Sequence, residues 1–514
     1  MKTTHWLLLG WILYSGIIDG KSASAAGSEC SAWLVESRPT DLPQVHMVSG
    51  VLSTGDVFQW LAGNATWKLD LLVQYWQLVA QPHHPASGDY GYSSNEMRRF
   101  GAHVGKAVYD SLDAAAERGV DMRIIQHSGV FPDYVQESAN LAGSRPNVKN
   151  VTLLLNPWWG SGIVHTKVWI SDRKDLYIGS ANNDWKSLTQ VKELGIYITN
   201  CHTLAELVEG YFENLWTLAH LDPSQHTKEV WDEHFQLSRT VPCWSHFLMP
   251  ESRCKSPFPE SVETKNVLGY PYIINSSTVS IEIGTPGWRT ETQHQTMAAR
   301  PSYLSFAPPE LTFGRHQTDE QGWVDTILSA VVNGTVRIST MDWLGQSQYA
   351  DATIYWSALS NAISKIVYAK HATVKLIVAY WTHTLAGTTD YLTALDHINT
   401  LCASSKYNRC TGKVEIKFFK VPGFERTGPK MVNGSTTENL YPSYTRVNHA
   451  KYAVSDVRAH IGTSNLVWDY FYTTSGLSFG TYNEALVSQV QAIFDADWDS
   501  PYAVPWQAVG STNL

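Results

Sequence analysis

Residues 162–172 read GIVHTKVWISD, and residues 447–456 read VNHAKYAVSD. Each stretch holds a histidine, a lysine two positions on and an aspartate five positions after that. One such triplet in a valine- and isoleucine-rich run says little. Two, one in each half of a chain, mark an internal repeat, which sets the architecture before any local reading. The flanks repeat too. WKLDLLVQYWQL (67–78) parallels GTVRISTMDWLG (334–345), ERGVDMRIIQHS (117–128) parallels HATVKLIVAYWT (371–382), and VKNVTLLLNPWW (148–159) parallels KVEIKFFKVPGF (413–424). Helical patterns at 106–117 and 355–370 occupy matching places, and each half closes on a helix, with Phe212 and Trp216 in one and Phe494 and Trp498 in the other. Strands and helices alternating twice in one order predict an α/β protein of two pseudo-symmetric α/β/α domains with mostly parallel strands. The expected boundaries are 30–240 and 311–505. A Pro/Gly-punctuated connection covers 241–310.

A chain of 514 residues exceeds what one compact core organises and suits two domains. Hydrophobic residues at 43% and charged residues at 17% describe a globular body. The formal charge of −9 argues against a broad basic face for duplex nucleic acid. With all 19 histidines protonated it would approach about +10, so an acidic compartment would favour polyanions.

The N-terminus carries one lysine, an apolar run from Trp6 to Ile18, and small residues around Ala23-Ser24-Ala25. That is the layout of a secretory signal peptide over residues 1–25, with a short uncleaved anchor as the alternative. Six cysteines agree with an oxidising route. Cys243 with Cys254 and Cys402 with Cys410 would close short loops, leaving Cys30 for Cys201. Five glycosylation sequons stand at Asn64, Asn150, Asn275, Asn333 and Asn433.

Read as a strand, IVHTKVWIS alternates its side chains. His165 and Lys167 then share one face, while Asp172 has the opposite parity and supports the motif from behind. His449, Lys451 and Asp456 repeat this. Next come IGSANND (178–184) and IGTSNLV (461–467). Gly179 and Gly462 are expected to allow tight turns there. Ser180, Asn182, Thr463 and Asn465 would offer hydrogen bonds. A pseudo-twofold arrangement would bring both histidines, lysines and asparagines to one cleft. One imidazole can attack phosphorus while the other protonates the leaving oxygen, with Lys167, Lys451 and the amides holding phosphate oxygens. This chemistry asks for no metal and no cofactor.

The pattern His-x-Lys-x4-Asp-x6-Gly-Ser-x-x-Asn runs through positions 165, 167, 172, 179, 180 and 183. The second copy has one residue fewer before Gly462. These residues resemble the phospholipase D superfamily over about residues 30–505. The run from His165 to Gly195, RVNHAKYAVSD, IGTSN and AIFDADWDSPY resemble its animal endolysosomal branch, the third and fourth members. The resemblance implies two lobes sharing one active site, a phosphohistidine intermediate and no metal. It further implies 5′-to-3′ exonuclease action on single-stranded DNA or RNA in acidic compartments, with lysosomal phospholipid transfer as another attributed activity. By the same resemblance His165 and His449 are nucleophile and general acid/base, and Glu193 orients a catalytic histidine. Glu484 is the nearest candidate for its counterpart. Branch members carry a cytosolic tail and membrane anchor. Here five residues precede the apolar run, which favours a cleaved signal and an endolysosomal or secreted destination.

Three functions compete. The first is a phosphodiesterase trimming single-stranded nucleic acid, supported weakly by 21 tryptophans and 25 tyrosines available for base stacking. The second turns the same chemistry on phospholipid. The third is a catalytically silent secreted binding protein. Nucleophile identity, end polarity and oligomeric state, a homodimer included, stay open in the sequence.

Overall fold

The computed structural model describes residues 30–508, except 44, 46, 128–133, 224–226, 229–240, 243–271, 275–280, 284–300, 313–315, 352 and 405–408. The signal segment, Cys243, Cys254 and Asn275 lie outside the described residues.

In the first half, β1 (Ser31–Ser37), β2 (Leu52–Ser53), α1 (Thr54–Gly63) and β3 (Lys68–Val73) lead to α2 (Ala102–Glu117). Then come β4 (Asp121–His127), β5 (Val148–Leu153), the hairpin β6 (Val168–Ser171) and β7 (Asp175–Gly179), α3 (Trp185–Thr189), β8 (Glu193–Thr199) and α4 (His202–Leu218). These strands form one eight-stranded sheet in the order β2-β1-β8-β7-β6-β3-β4-β5.

The second half repeats the plan with β9 (Pro301–Ala307), β10 (Gln317–Thr318), α5 (Asp319–Leu328), β11 (Thr335–Thr340), α6 (Ala358–Lys370), β12 (Thr373–Ala379), α7 (Thr388–Ala403) and β13 (Lys413–Phe419). It continues through β14 (Tyr452–Val454), β15 (Ala459–Ile461), α8 (Trp468–Tyr472), β16 (Gly476–Thr481) and α9 (Glu484–Trp498). The central strands of its eleven-stranded sheet run β9-β16-β15-β14-β11-β12-β13, with β10 beside β9 as β2 is beside β1.

Two expectations need correction. Among the described residues, the long parallel ladders are confined to β3-β4-β5 and β11-β12-β13, and the other parallel pairings, such as β1-β2 and β9-β10, are two residues long. The ladders between β1 and β3 through β8, β7 and β6 are antiparallel, because the motif strand returns as a hairpin instead of through a helix. The second repeat also begins earlier than residue 311. PSYLSFA (301–307), assigned to the connection for its flanking prolines, is β9, the counterpart of β1, and pairs antiparallel with β16.

Side-chain alternation explains the core. Leu69 and Leu71 of β3 and Ile124 of β4 face α1 and α2. Leu72, Ile125, Val168 and Ile170 point the other way, into a core shared with Leu304, Phe306, Leu477 and Phe479 of the second half. Helices α4 and α9 fill this central layer, with Phe212 stacked on Trp216 and Phe494 on Trp498. The two sheets therefore share one continuous core. Disulfides join Cys30 to Cys201 and Cys402 to Cys410. Asn64, Asn333 and Asn433 are exposed, whereas Asn150 is half-buried on β5 and donates to Ser138 Oγ at 3.4 Å. Among the described residues no helix is long and apolar enough to cross a membrane.

Candidate active site

The histidines do not lie within regular strands, as alternation predicts. Strand β6 starts at Val168 and β14 at Tyr452, each just after the motif lysine. The reason lies in the hydrogen bonding. Ahead of each strand the backbone pairs with the opposite half. Ser475 N–H donates to Ile163 O at 3.0 Å, and His165 N–H donates to Ser475 Oγ at 3.2 Å. In the other half Lys192 N–H donates to Val447 O at 3.0 Å, and His449 N–H to Lys192 O at 2.8 Å. Each histidine segment is thus stitched to the entrance of the other half's last strand, which puts both imidazoles in one place.

Their ring centroids are 6.5 Å apart. Both line a cavity of about 760 Å³ together with Asn182, Asn465, Glu193 and Tyr470. Glu193 accepts from His449 Nδ1 at 2.8 and 2.9 Å through its two oxygens. His165 has no such carboxylate. Its Nδ1 is unpartnered among the described residues, and Tyr470 packs edge-on against its ring at 4.8 Å.

The electrostatics follow from burial. Desolvation pushes the His165 pKa well below the ordinary histidine value, and the nearby charges of Lys167 and Lys451 push the same way. Desolvation lowers His449 to about 4, although Glu193 opposes it. Lys451 falls to about 7 for the same reason, opposed by Glu193 and Asp342, and Lys167 is lowered by burial and by Lys451. An empty site therefore resists further positive charge. A bound anion reverses this and lets protons in.

Lys167 Nζ donates to Gln74 Oε1 at 3.0 Å and to the carbonyl of His165 at 2.6 Å. Lys451 likewise bonds the carbonyl of His449. Each lysine is so held beside its own histidine. Asn182 and Asn465 are counterparts, because Trp76 pairs with Asn183 as Trp343 pairs with Leu466. Asn183 is therefore not the match to Asn465 that the spacing suggested. Its Oδ1 accepts from Trp169 Nε1 at 3.1 Å, away from the cavity.

Four other expected roles change. Ser180 Oγ accepts from Leu194 N–H at 3.0 Å and Thr463 Oγ1 from Leu477 N–H at 3.1 Å. Neither lines the cavity, so these hydroxyls brace strands and are not phosphate ligands. Gly179 and Gly462 serve close strand packing instead of a turn. A Cβ at Gly179 would lie 2.5 Å from Gly195 Cα, and one at Gly462 would lie 2.0 Å from Ser478 Oγ. Asp172, at the end of β6, accepts from the backbone of Thr66, Trp67 and Lys68 and from Thr66 Oγ1. Burial alone would raise its pKa, but these hydrogen bonds lower it. Asp456 accepts from Val331 and Thr335 N–H.

Glu484 is exposed at the start of α9 and does not line the cavity. The pairing of Leu194 with Ser180 and of Leu477 with Thr463 makes the residues before them counterparts, so Glu193 corresponds to Gly476. A Cβ there would meet Ser464 Oγ at 2.7 Å, leaving no room for a carboxylate.

Sequence reasoning missed Tyr470, Asp342, Gln74 and the cavity's aromatic wall of Trp381 and Tyr444. Gln74 and Asp342 fall inside the aligned runs 67–78 and 334–345, one register apart. The aligned runs carried that signal without saying which positions face the cleft.

Two half-sites, each a His-Lys pair leading into the matching strand of a duplicated α/β fold, meeting over one cavity, define a phosphodiesterase built by duplication. Residues 50–228 match the family described as "PLD3/4, PLD-like domain". The chain is 29% identical to "Phospholipase D Z" of Dictyostelium discoideum over 97% of both proteins. It is 28% identical to "5'-3' exonuclease PLD3" of Xenopus laevis, covering 94% of this chain and 82% of that one. It is 27% identical to "5'-3' exonuclease PLD3" of Homo sapiens, covering 92% and 80%. The family match covers residues 50–228, and the similarity to phospholipase D and PLD3 proteins runs over most of the chain.

Proposed function

We propose that this phosphodiesterase is a 5′-to-3′ exonuclease on single-stranded DNA or RNA, working in an acidic endolysosomal or extracellular setting. The observation that carries the choice of substrate is the pair of aromatic walls around the histidines. On one wall Tyr134 stacks on His84 at 4.2 Å. On the other Tyr444 stacks on His383 at 5.0 Å, with Trp381 edge-on to the same imidazole at 4.8 Å. Such faces suit unpaired bases, and every base has a face to offer. The names of the PLD3 relatives support the same reading.

The asymmetry between the imidazoles supports a division of labour. His165, held neutral without a carboxylate, attacks phosphorus, and the N–P bond forms as the P–O bond to the leaving oxygen breaks. His449, whose cation Glu193 supports, gives that oxygen its proton. Water then attacks phosphorus, passes a proton back to His449 and releases His165. Lys167, Lys451 and the amides of Asn182 and Asn465 bear on the non-bridging oxygens.

The test is alkaline-quench labelling with an oligonucleotide carrying a radiolabelled 5′-terminal phosphodiester. A base-stable, acid-labile adduct on His449→Ala and none on His165→Ala is expected. The reverse pattern would exchange the roles. Wild-type protein that leaves single strands intact while hydrolysing phosphatidylcholine vesicles would move the substrate to lipid, a reading that the Dictyostelium phospholipase D names favour.

A further inference from the structure

We infer that a bridge between the two halves, built over one end of the cavity, makes this site accept strand ends and reject continuous strands. The inference rests on the exonuclease reading and names the element that would enforce it.

The second half contributes a strap. Its base is closed where Thr427 pairs with Tyr441 and where Gly428 N–H donates to Tyr441 O at 2.9 Å. Beyond that base Met431–Val432 and Ser435–Thr436 form a small hairpin turning at Asn433 and Gly434. The first half contributes the loop before α2, pinned from within by Asp89, which accepts from Gln81 N–H at 3.0 Å and Gln77 Nε2 at 2.9 Å.

Strap and loop are joined mostly through backbone. Lys430 N–H donates to Tyr90 O at 2.8 Å, and Ser443 N–H to Gly88 O at 3.1 Å. Tyr92 Oη donates to Gly428 O at 2.9 Å, and Lys430 pairs with Glu96. The fit is close. A Cβ on Gly88 would lie 2.5 Å from Ser443 Cβ, and one on Gly91 would lie 2.6 Å from Met431 Cγ. Where the strap returns to the motif segment, Tyr444 and Arg446 hold positive φ of 59° and 62°. Non-glycine residues keep that conformation only where their surroundings enforce it.

The bridge matters because of where it stands. Gly88 and Ser443, which touch each other, both line the cavity that holds His165 and His449. So do Ser87 on the loop side and Pro429 on the strap side. The cleft between the halves is therefore spanned from lobe to lobe beside the reacting centre. A strand lying through an open groove would present any of its phosphates. A strand meeting a span must be introduced by its terminus, whether the span acts as a wall or as an arch. A closed circle has no terminus to offer.

The experiment compares linear and circular single-stranded DNA of one sequence. The proteins are the full wild-type chain, a variant with residues 429–439 replaced by two glycines, and Gly88→Val. The replacement leaves the strap's paired base and every residue assigned to the chemistry in place. Hydrolysis of bis(p-nitrophenyl) phosphate and thermal unfolding report an intact site and fold. Wild type is expected to consume linear strands at least about a hundredfold faster than circles, and the strap variant to bring that ratio below about tenfold. Gly88→Val, which pushes Ser443 aside, is expected to move the ratio the same way by less. Cleavage of circles by wild type would overturn the inference. So would a strap variant with full activity on the small diester and on linear strands but none on circles. If the strap variant does not fold, an unchanged ratio in folded Gly88→Val overturns it. A wild type inert on linear strands would instead refute the exonuclease reading.

Discussion

The two halves agree in strand order and differ where they meet the substrate. His449 of the second half has Glu193 of the first, whereas the place facing His165 from the second half is Gly476. Lys167 leans on the neutral Gln74, while Lys451 has the carboxylate of Asp342 nearby, itself raised to about 6 by burial. Tyr470 packs on His165, and its counterpart position is Ser187. Duplication supplies two imidazoles and two ammoniums at matching points. Divergence around them makes one histidine easier to charge than the other, which is what a step needing one base and one acid requires.

The largest effects should come from removing either imidazole. Both His165→Ala and His449→Ala are expected to lose about a thousandfold or more in rate on oligonucleotides. A leaving group of low pKa separates them. With a p-nitrophenyl diester, His449→Ala should recover much of the rate of its first step, read as a burst of p-nitrophenolate that departs without a proton, and His165→Ala should give no burst. Equal recovery by both would undo the division of roles. Next in size is Glu193→Gln, with an expected loss of about a hundredfold. The alkaline limb of its pH profile, where His449 loses the proton it must donate, should move to lower pH, because a neutral amide supports the His449 cation less. An unmoved limb would make Glu193 purely structural.

The shared plan was open to reading in the chain because both copies keep the same hydrophobic runs and the same His-Lys spacing. The hairpin return of β6, and with it the antiparallel half of each sheet, was not. A run such as VWIS looks alike in either ladder, and the turn at Asp172 and Arg173 carries no glycine. β9 was hidden by its prolines. The four chemistry-bearing side chains were legible in the repeat itself, whereas Glu193 was reached only through the family resemblance and Gln74, Asp342 and Tyr470 not at all. Glu193 acts across the halves on a histidine 256 positions away, and no local periodicity encodes that. The failed search for its partner has a plain cause, since the counterpart is a glycine.

The same burial that distinguishes the histidines predicts a pH-dependent stability. Both have folded-state pKa values below the ordinary one, so their contribution is present above about pH 6.5 and is lost as pH falls toward the folded value. His449 alone, lowered to about 4, should cost about 2 kcal/mol at pH 5. An anion between the two imidazoles would remove that penalty. Orthovanadate or inorganic phosphate is therefore expected to raise the melting temperature more at pH 5 than at pH 7.5. In His449→Ala the difference should shrink. Equal shifts at both pH values would mean that the anion does not sit where the histidines take up protons.

The smallest expected effect compares the two motif aspartates. Asp172 gathers three backbone N–H groups and the hydroxyl of Thr66, closing the start of β3 onto the end of β6. Asp456 gathers two backbone N–H groups at the matching place before β11. Removing either acceptor leaves donors to find water, at a cost that rises with how many are buried. Asp172 is itself buried and Asp456 half-exposed, so water reaches the second site more easily. Asp172→Ala should therefore destabilise by about 1 kcal/mol more than Asp456→Ala. Urea unfolding, followed by tryptophan fluorescence at fixed pH, reads that difference directly. A larger loss in Asp456→Ala would mean that the second hairpin, one residue shorter, depends on its aspartate more than its hydrogen bonds indicate.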